Sequence, residues 1–517
     1  MNTAKFAMLC GAGGIWRYLV KFIRTGKIIK LCATISLMMS LCLILPIFTA
    51  FYYKEFFVVS KLLPFTIGLC LISLLLFFLI KEKYTAISKR TAFFIVTLSW
   101  IISAIISCAA FVITGAIPSP IDAFFESCSG LSTTGITILN DVEAIPKSMN
   151  MWRAFLHWIG GMGILVFAVA ILPSLKFTGQ SVASAEAPGP SFEKVSPKVS
   201  DTAKILYVTY SLFTVLEIIL LMLSGLSLYD SVIHSFSTLG TGGFSCYNDS
   251  IGHFGSPLVS TIIIFFMFLA GTNFNLFFFS IKDGIKTFMS STEFKTYLSI
   301  TLLVSFAVGM ILFLKTHETP LNAAVNGTFQ TVSFLTTTGF SNANFNIWPV
   351  ASKALLFTLF FIGGSSTSTA GGIKIIRVAV VLRLIKRGIE TRLHPEAVKP
   401  IRIDKKNVSS TSVSLILSFI FLYVLIAFIG SLVISLENHS SFSAVTLSMT
   451  CIGNIGPSFF ENAGFKLADF NMLSKFTMSL LMIIGRLELF TIIMLMAEGP
   501  DADEAVEVFS LDRKSVV

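Results

Sequence analysis

The stretch FLTTTGFSNANF (334–345) sets three threonines and a glycine directly behind an apolar run, in a chain otherwise dominated by apolar segments. Related strings stand at GLSTTGITIL (130–139), FSTLGTGGFS (236–245) and TCIGNIGPSF (450–459). Each closes a short segment: DAFFESCSGLSTTG (122–135), YDSVIHSFSTLG (229–240), NGTFQTVSFLTTTG (326–339) and FSAVTLSMTCIGNIG (442–456). Aligning the segment ends puts Gly135, Gly240, Gly339 and Gly456 in register, separated by 105, 99 and 117 residues. A period of about 100 residues is too long for a solenoid repeat and suits duplicated membrane hairpins.

The surrounding composition supports a membrane setting. Of 517 residues, 54% are hydrophobic and 13% charged, with 51 Phe; a soluble chain carries about twice that charge. Apolar runs long enough to cross a bilayer recur near 31–51, 62–80, 92–116, 152–173, 202–228, 258–281, 296–314, 351–385, 410–436 and 471–497. With a cytoplasmic N-terminus, Lys and Arg fall 29 inside and 8 outside, and Arg486 alone lies at membrane depth. That asymmetry sets the orientation, with both termini cytoplasmic, and accounts for the net charge of +10 without nucleic acid. The eight cysteines are scattered with no CxxC or Cys/His cluster, so neither a metal site nor a disulfide framework is indicated. Residues 1–30 are basic and show no small-residue cleavage site after a short apolar core, which reads as no removable signal peptide.

Each short segment is too short to cross and long enough to enter and turn back, all four from the same outer face. Non-helical backbone at membrane depth persists only where protein or water satisfies its polar groups. Four such loops around one axis meet that condition by lining a water-filled pore. Glycine permits the backbone to aim carbonyl oxygens at the axis, and Thr hydroxyls add oxygens below. Rings of such oxygens replace the hydration shell of a monovalent cation, and the C-terminal ends of the preceding helices favour it further. Any one of these strings alone would read as an extracellular turn.

These features resemble the Trk/Ktr/HKT superfamily of potassium transporters, and within it the bacterial TrkH/TrkG potassium-uptake subunits, over about residues 30–497. The resemblance rests on the four strings together with RAFLHWIGGMGILVFAVAILP (153–173), FEKVSPKVSDTAKILY (192–207), GGSSTSTAGGIKIIR (363–377) and GRLELFT (485–491). It implies an all-α polytopic protein: two leading helices, then four M1–P–M2 units forming a single-chain pseudo-tetramer around one pore. It also implies potassium as the transported ion, no organic cofactor, a homodimer in the bacterial inner membrane, and a cytoplasmic nucleotide-binding regulatory ring of the TrkA kind. Residue by residue, the filter positions fall on Thr133, Thr134 and Gly135; Thr238, Leu239 and Gly240; Thr337, Thr338 and Gly339; and Asn454, Ile455 and Gly456. The fourth string departs from the Thr pattern, with Asn454 and Ile455 followed by Pro457.

The expected organisation is a basic N-terminus (1–30), two leading helices with their loop (31–91), a first unit (92–173), a linker (174–200), a second unit (201–281), a third unit with a broken final helix (282–385), a basic linker (386–408), a fourth unit (409–497) and an acidic tail (498–517). The break falls in GGSSTSTAGG, that is Gly363, Gly364, Ser365, Ser366, Thr367, Ser368, Thr369, Ala370, Gly371 and Gly372. A continuous helix over 351–385 would run roughly 52 Å, against about 30 Å of hydrocarbon. The four glycines disfavour helix by about 1 kcal/mol each, so a polar loop at membrane depth is expected, facing the permeation path. The competing reading is a small-residue helix-packing face. AGGIK lacks the ending of a phosphate loop.

Arg486 should face the bundle interior with a partner, since burying it costs about 2.5–3.5 kcal/mol on insertion scales. Glu488 is too near in sequence to share its helical face, and Glu217 is the candidate partner. The pair is read either as structural or as a positive charge at the pore wall. His157 is read as a packing or hydrogen-bonding residue. A polytopic membrane enzyme would need a His/Asp/Ser cluster, and Ser365, Ser366 and Thr367 have no neighbouring base in sequence. A symporter with its site at the broken helix, coupled to sodium or protons, stays open beside a channel. Ten Lys/Arg lie in 374–406, read either as an anchor to anionic membrane lipid or as a docking surface for the regulatory ring.

Overall fold

The computed structural model of the chain describes residues 26–80, 89–163, 199–394, 400–404, 406–437, 440–459 and 466–487. Among these the architecture is helical, apart from one two-residue-stranded hairpin. The leading pair is α1 (Gly26–Cys42), continued after Leu43 by α2 (Ile44–Tyr52), and α3 (Phe56–Leu79). α1 and α2 act as one span: the Leu43 N–H still reaches the Met39 carbonyl and the Ile47 N–H reaches that of Leu43. α3 leaves Phe56, Phe57, Leu71, Leu75 and Phe78 exposed, the face of a helix that lies against lipid.

Four stretches follow with one recurrent plan. The first holds α4 (Lys89–Thr114), α5 (Pro120–Leu131) and α6 (Lys147–Gly161). The second holds α7 (Val199–Leu223), α8 (Leu228–Leu239), α9 (Pro257–Ala270) and α10 (Phe274–Asp283). After the short α11 (Lys286–Ser290) come α12 (Thr292–Thr316), α13 (Pro320–Leu335), α14 (Val350–Thr358) and α15 (Ile375–Leu393). The hairpin strands β1 (Arg402–Ile403) and β2 (Lys406–Asn407) precede α16 (Ser410–Ile434), α17 (Ser441–Gly453) and α18 (Met472–Arg486). The short helices start on sequence signals. Ser227 caps α8, Thr319 caps α13 with Pro320 in the first turn, and Ser440 caps α17, each by a side-chain oxygen accepting a backbone N–H.

Three expected spans differ. The span 258–281 is broken, α9 and α10 meeting at 87°; Gly271 and Thr272 end the first helix, and the Asn273 side chain caps the second by accepting the Asn275 N–H. The span 202–228 stops at Leu223, because Gly225 takes a φ of 101° in the turn into α8. Within 152–173 the helix α6 begins earlier, at Lys147, and ends at Gly161; residues 164–173 lie outside the described ones, as do 488–497 of the last span. The break at 363–372 is present as expected, with non-helical backbone between Phe361 and Ile375.

The largest apolar core joins the leading helices to the four stretches. Behind the third and fourth strings it becomes aromatic: Phe334, Phe345, Phe360 and Phe459 pack with ring centroids 5.5–5.9 Å apart, a contact range favourable for aromatic pairs.

Candidate functional site

Helices α5, α8, α13 and α17 all end the same way. Each helix is followed by a left-handed residue, one position past the C-cap in the first three and at the C-cap in α17: Thr133 at φ 57°, Thr241 at 53°, Thr337 at 54° and Asn454 at 52°. Its N–H bonds back three residues, to Gly130, Thr238, Phe334 and Cys451, and the next N–H bonds back five, to Ser129, Ser237, Ser333 and Thr450. This is the Schellman termination, normally built on Gly. A left-handed Thr costs about 1–2 kcal/mol, and three of the four strings carry one.

Two residues beyond each left-handed residue comes a second turn with positive φ, at Gly135, Gly243, Gly339 and Gly456. Here glycine is required by contact. A Cβ on Gly135 would strike the Gly242 carbonyl oxygen, one on Gly243 that of Thr338, one on Gly339 that of Ile455, and one on Gly456 that of Thr134. The sequence of collisions returns to its start, so the four strings form one ring. Among the described residues no protein donor reaches the carbonyl oxygens of 133–135, 241–243, 337–339 or 454–456.

The ring corrects the expected register of the second string. Thr238 and Leu239 are the last residues of α8, and Gly240 is its C-cap at φ −66°; a Cβ on Gly240 would meet the His157 carbonyl oxygen of α6 at 2.6 Å, behind the ring. Thr241, Gly242 and Gly243 occupy the positions matching Thr133–Gly135. The signal was in the sequence: GFS recurs at 243–245 and 339–341. Thr133–Gly135, Thr337–Gly339 and Asn454–Gly456 form the other three arcs of the ring.

Behind the ring, positions seven residues before each left-handed residue are Glu126, His234, Gln330 and Leu447. Glu126 accepts from the Thr137 hydroxyl (2.9 Å), the Ile138 N–H (2.9 Å) and Arg153 Nε (2.7 Å). Arg153 also donates to the Ser245 carbonyl (3.3 Å) and lies 4.1 Å over the Phe244 ring, fastening the first string to the second. Arg153 is buried, 1% exposed, although the span reading counts it among the outside charges. His234 meets Ser245 Oγ at 3.0 Å and Gln330 reaches the Phe340 carbonyl at 3.4 Å. Asn454 donates to Thr134 Oγ1 and to the Met482 carbonyl, both at 2.9 Å, tying the fourth string to the first and to α18. In the loops beyond the strings, Asn248 donates to Asp141 and accepts the Val142 N–H; the donated bond holds the Asp141 carboxyl below the usual carboxylate range.

The loop 363–372 docks in the angle between α9 and α10. The Ser365 N–H donates to the Gly271 carbonyl (2.9 Å), Thr367 Oγ1 to Asn273 Oδ1 (2.5 Å) and Thr369 Oγ1 to the Ala270 carbonyl (3.1 Å). Ser366 donates both its N–H (2.6 Å) and its hydroxyl (2.8 Å) to Glu293 at the start of α12. Gly363 and Ile373 bond across the loop's neck, and Lys374 Nζ returns to the Ala370 carbonyl at 2.6 Å. The Gly371 N–H donates to Thr337 Oγ1 at 2.7 Å, so loop and third string touch. Arg486 donates to the Thr369 carbonyl (2.7 Å) and to the Gly160 (2.7 Å) and Gly161 (2.5 Å) carbonyls at the end of α6. No hydrogen bond joins Arg486 to Glu217, whose carboxylate oxygens have no donor within bonding geometry among the described residues. His157 packs, its ring 4.2 Å from that of Phe244, and the ring fills the space a Gly242 side chain would need.

Fold and site together define a class, a helical multi-pass membrane transport protein. The family model described as "TrkH: Cation transport protein" matches residues 61–505, and the chain belongs to that family, which is one of transporters and not of enzymes. Among its relatives, the Trk system potassium uptake protein TrkH of Salmonella typhimurium is 33% identical over 473 residues, covering 90% of this chain and 97% of that protein. The protein of the same description from Escherichia coli K12 is 34% identical over 420 residues, covering 80% and 86%. The crystal structure of the potassium transporter TrkH from Vibrio parahaemolyticus matches with a TM-score of 0.82 at 29% identity, over 91% of this chain and 98% of that one.

Proposed function

We propose that the chain takes up potassium across the bacterial inner membrane through a pore whose filter is the ring of four strings. The observation that carries this is the ring of glycines with its unclaimed carbonyl oxygens. A buried carbonyl ordinarily finds a donor; here the oxygens are left for a dehydrated cation on the axis. The relatives described as potassium uptake proteins name the ion. On this reading the units 92–173, 201–281, 282–385 and 409–497 are the four M1–P–M2 parts of a single-chain pseudo-tetramer behind the leading helices 31–91. Potassium is the substrate, and its ligands are the backbone oxygens of Thr133–Gly135, Thr241–Gly243, Thr337–Gly339 and Asn454–Gly456.

The loop 363–372 is the gate, and Arg486 its latch. The basic segment 374–406, continuous with the loop, docks a cytoplasmic nucleotide-binding ring of the TrkA kind, and two copies pair as a homodimer with all termini cytoplasmic; these partner readings rest on the family resemblance. The test is competition between potassium and sodium for flux through purified protein in liposomes. Gly339→Ser adds a side chain where the Ile455 carbonyl stands, and should collapse potassium preference while the protein still inserts. An unchanged potassium/sodium ratio would defeat the filter assignment.

A further inference from the structure

The loop's firmest side-chain anchor is not on its own helix. Glu293 is 5% exposed and receives two bonds from Ser366, with a third from Asn273 Nδ2 at 3.2 Å. It is the second residue of α12, and the first, Thr292, is held from the other direction. Asp404 Oδ1 accepts the Thr292 N–H at 2.6 Å, and Arg383 of α15 donates to Thr292 Oγ1 at 3.5 Å. Asp404 follows β1 in the hairpin, at a φ of 46°. The hairpin is seated by Ile403, buried with Ile376 and Val380 of α15 and Ile416 of α16.

We infer that Asp404 and Glu293 are positioning residues that hold the loop 363–372 shut through the first turn of α12. The argument rests on the reading of that loop as the gate. The basic segment then reaches the loop twice, through the covalent chain of α15 and through Asp404, Thr292, Glu293 and Ser366. A partner that shifts the hairpin withdraws the acceptor from the Thr292 N–H, one of the donors a helix start leaves unpaired. The turn bearing Glu293 loosens, and Ser366 loses both its bonds. This path ends on the Ser366 side of the loop, opposite the Thr369 carbonyl that Arg486 grips, so both ends must release.

The test measures potassium flux without partner in liposomes, for the full chain carrying Asp404→Ala, Asp404→Asn, Glu293→Gln, the double Asp404→Ala/Glu293→Gln, and a shortened loop. Asp404→Ala and Glu293→Gln should each raise resting flux roughly tenfold, the factor that about 1.4 kcal/mol represents. The double should leak no more than the larger single, since both break one linkage. Asp404→Asn keeps an oxygen for the Thr292 N–H and should restore the low resting flux, which a role for charge alone would not allow. The potassium/sodium ratio should hold throughout. If the shortened loop leaks while Asp404→Ala and Glu293→Gln stay tight, or if the two singles multiply in the double, the linkage is refuted and the gate stands. If the shortened loop is also tight, the gate reading falls and takes the linkage with it.

Discussion

Arg486→Ala removes the three hydrogen bonds to backbone carbonyls described above, and their geometry says what each does. Two, to Gly160 and Gly161, fix the guanidinium to the end of α6; the third, 2.7 Å to the Thr369 carbonyl, is the one that holds the loop. A hydrogen bond from a charged donor contributes about 1.5–3 kcal/mol net. Losing the loop-holding bond alone should shift the closed-to-open ratio roughly 10- to 150-fold, read as resting potassium flux from liposomes without partner. A second variant separates latch from charge. Arg486→Lys keeps the positive charge, but an ammonium on a flexible stem cannot reproduce the planar fork that spans loop and helix. The latch account puts Arg486→Lys close to Arg486→Ala; a purely electrostatic barrier puts it close to the native chain. Resting flux unchanged in Arg486→Ala would refute both the latch and the barrier.

Two further predictions follow from named contacts. Arg153→Ala strands Glu126 as an unpaired buried charge, which costs about 3–5 kcal/mol; the melting temperature in detergent should fall sharply, and should recover in part when Glu126→Gln is added. Neutralising the Lys and Arg of 386–406 should weaken co-purification with the cytoplasmic ring while leaving the chain folded; undiminished association would remove that surface from consideration.

Much of the site is legible in the sequence because its chemistry is local. Thr-Thr-Gly at 133–135 and 337–339 writes both the left-handed residue and the ring glycine into three consecutive letters. The second string offers two glycine positions, Gly240 and Gly243, and counting from the end of the apolar segment selects the wrong one. Matching GFS at 243–245 to GFS at 339–341 selects Gly243, and the contact with His157 shows that Gly240 faces away from the ring. The break between α9 and α10 is hidden because 258–281 reads as one apolar run, with Gly271, Thr272, Asn273 and Asn275 at its middle. Its cause is tertiary: the loop of the third stretch supplies bonds that the bent backbone lacks, the Ser365 N–H donating to the Gly271 carbonyl and the Phe274 N–H to the Thr367 carbonyl, 93 residues later. The partners of Arg486 were illegible for the same reason. Those shown among the described residues are backbone carbonyls, which carry no residue-type signal, whereas the expected partner, Glu217, is an acidic side chain. The Glu126–Arg153 pair is open to inspection, an acid on α5 and a base on α6, 27 residues apart.

The central claim is that the four strings form one cation filter, and the most direct measurement locates the ion. Thallium, a heavy monovalent cation close to potassium in size, can be soaked into crystals of the purified chain and found by its anomalous scattering. The account predicts density on the ring axis, bracketed by the carbonyl oxygens of Thr134, Gly242, Thr338 and Ile455, and lost when sodium replaces thallium. Thallium bound away from that ring, or an empty ring in crystals that hold thallium elsewhere, would contradict it.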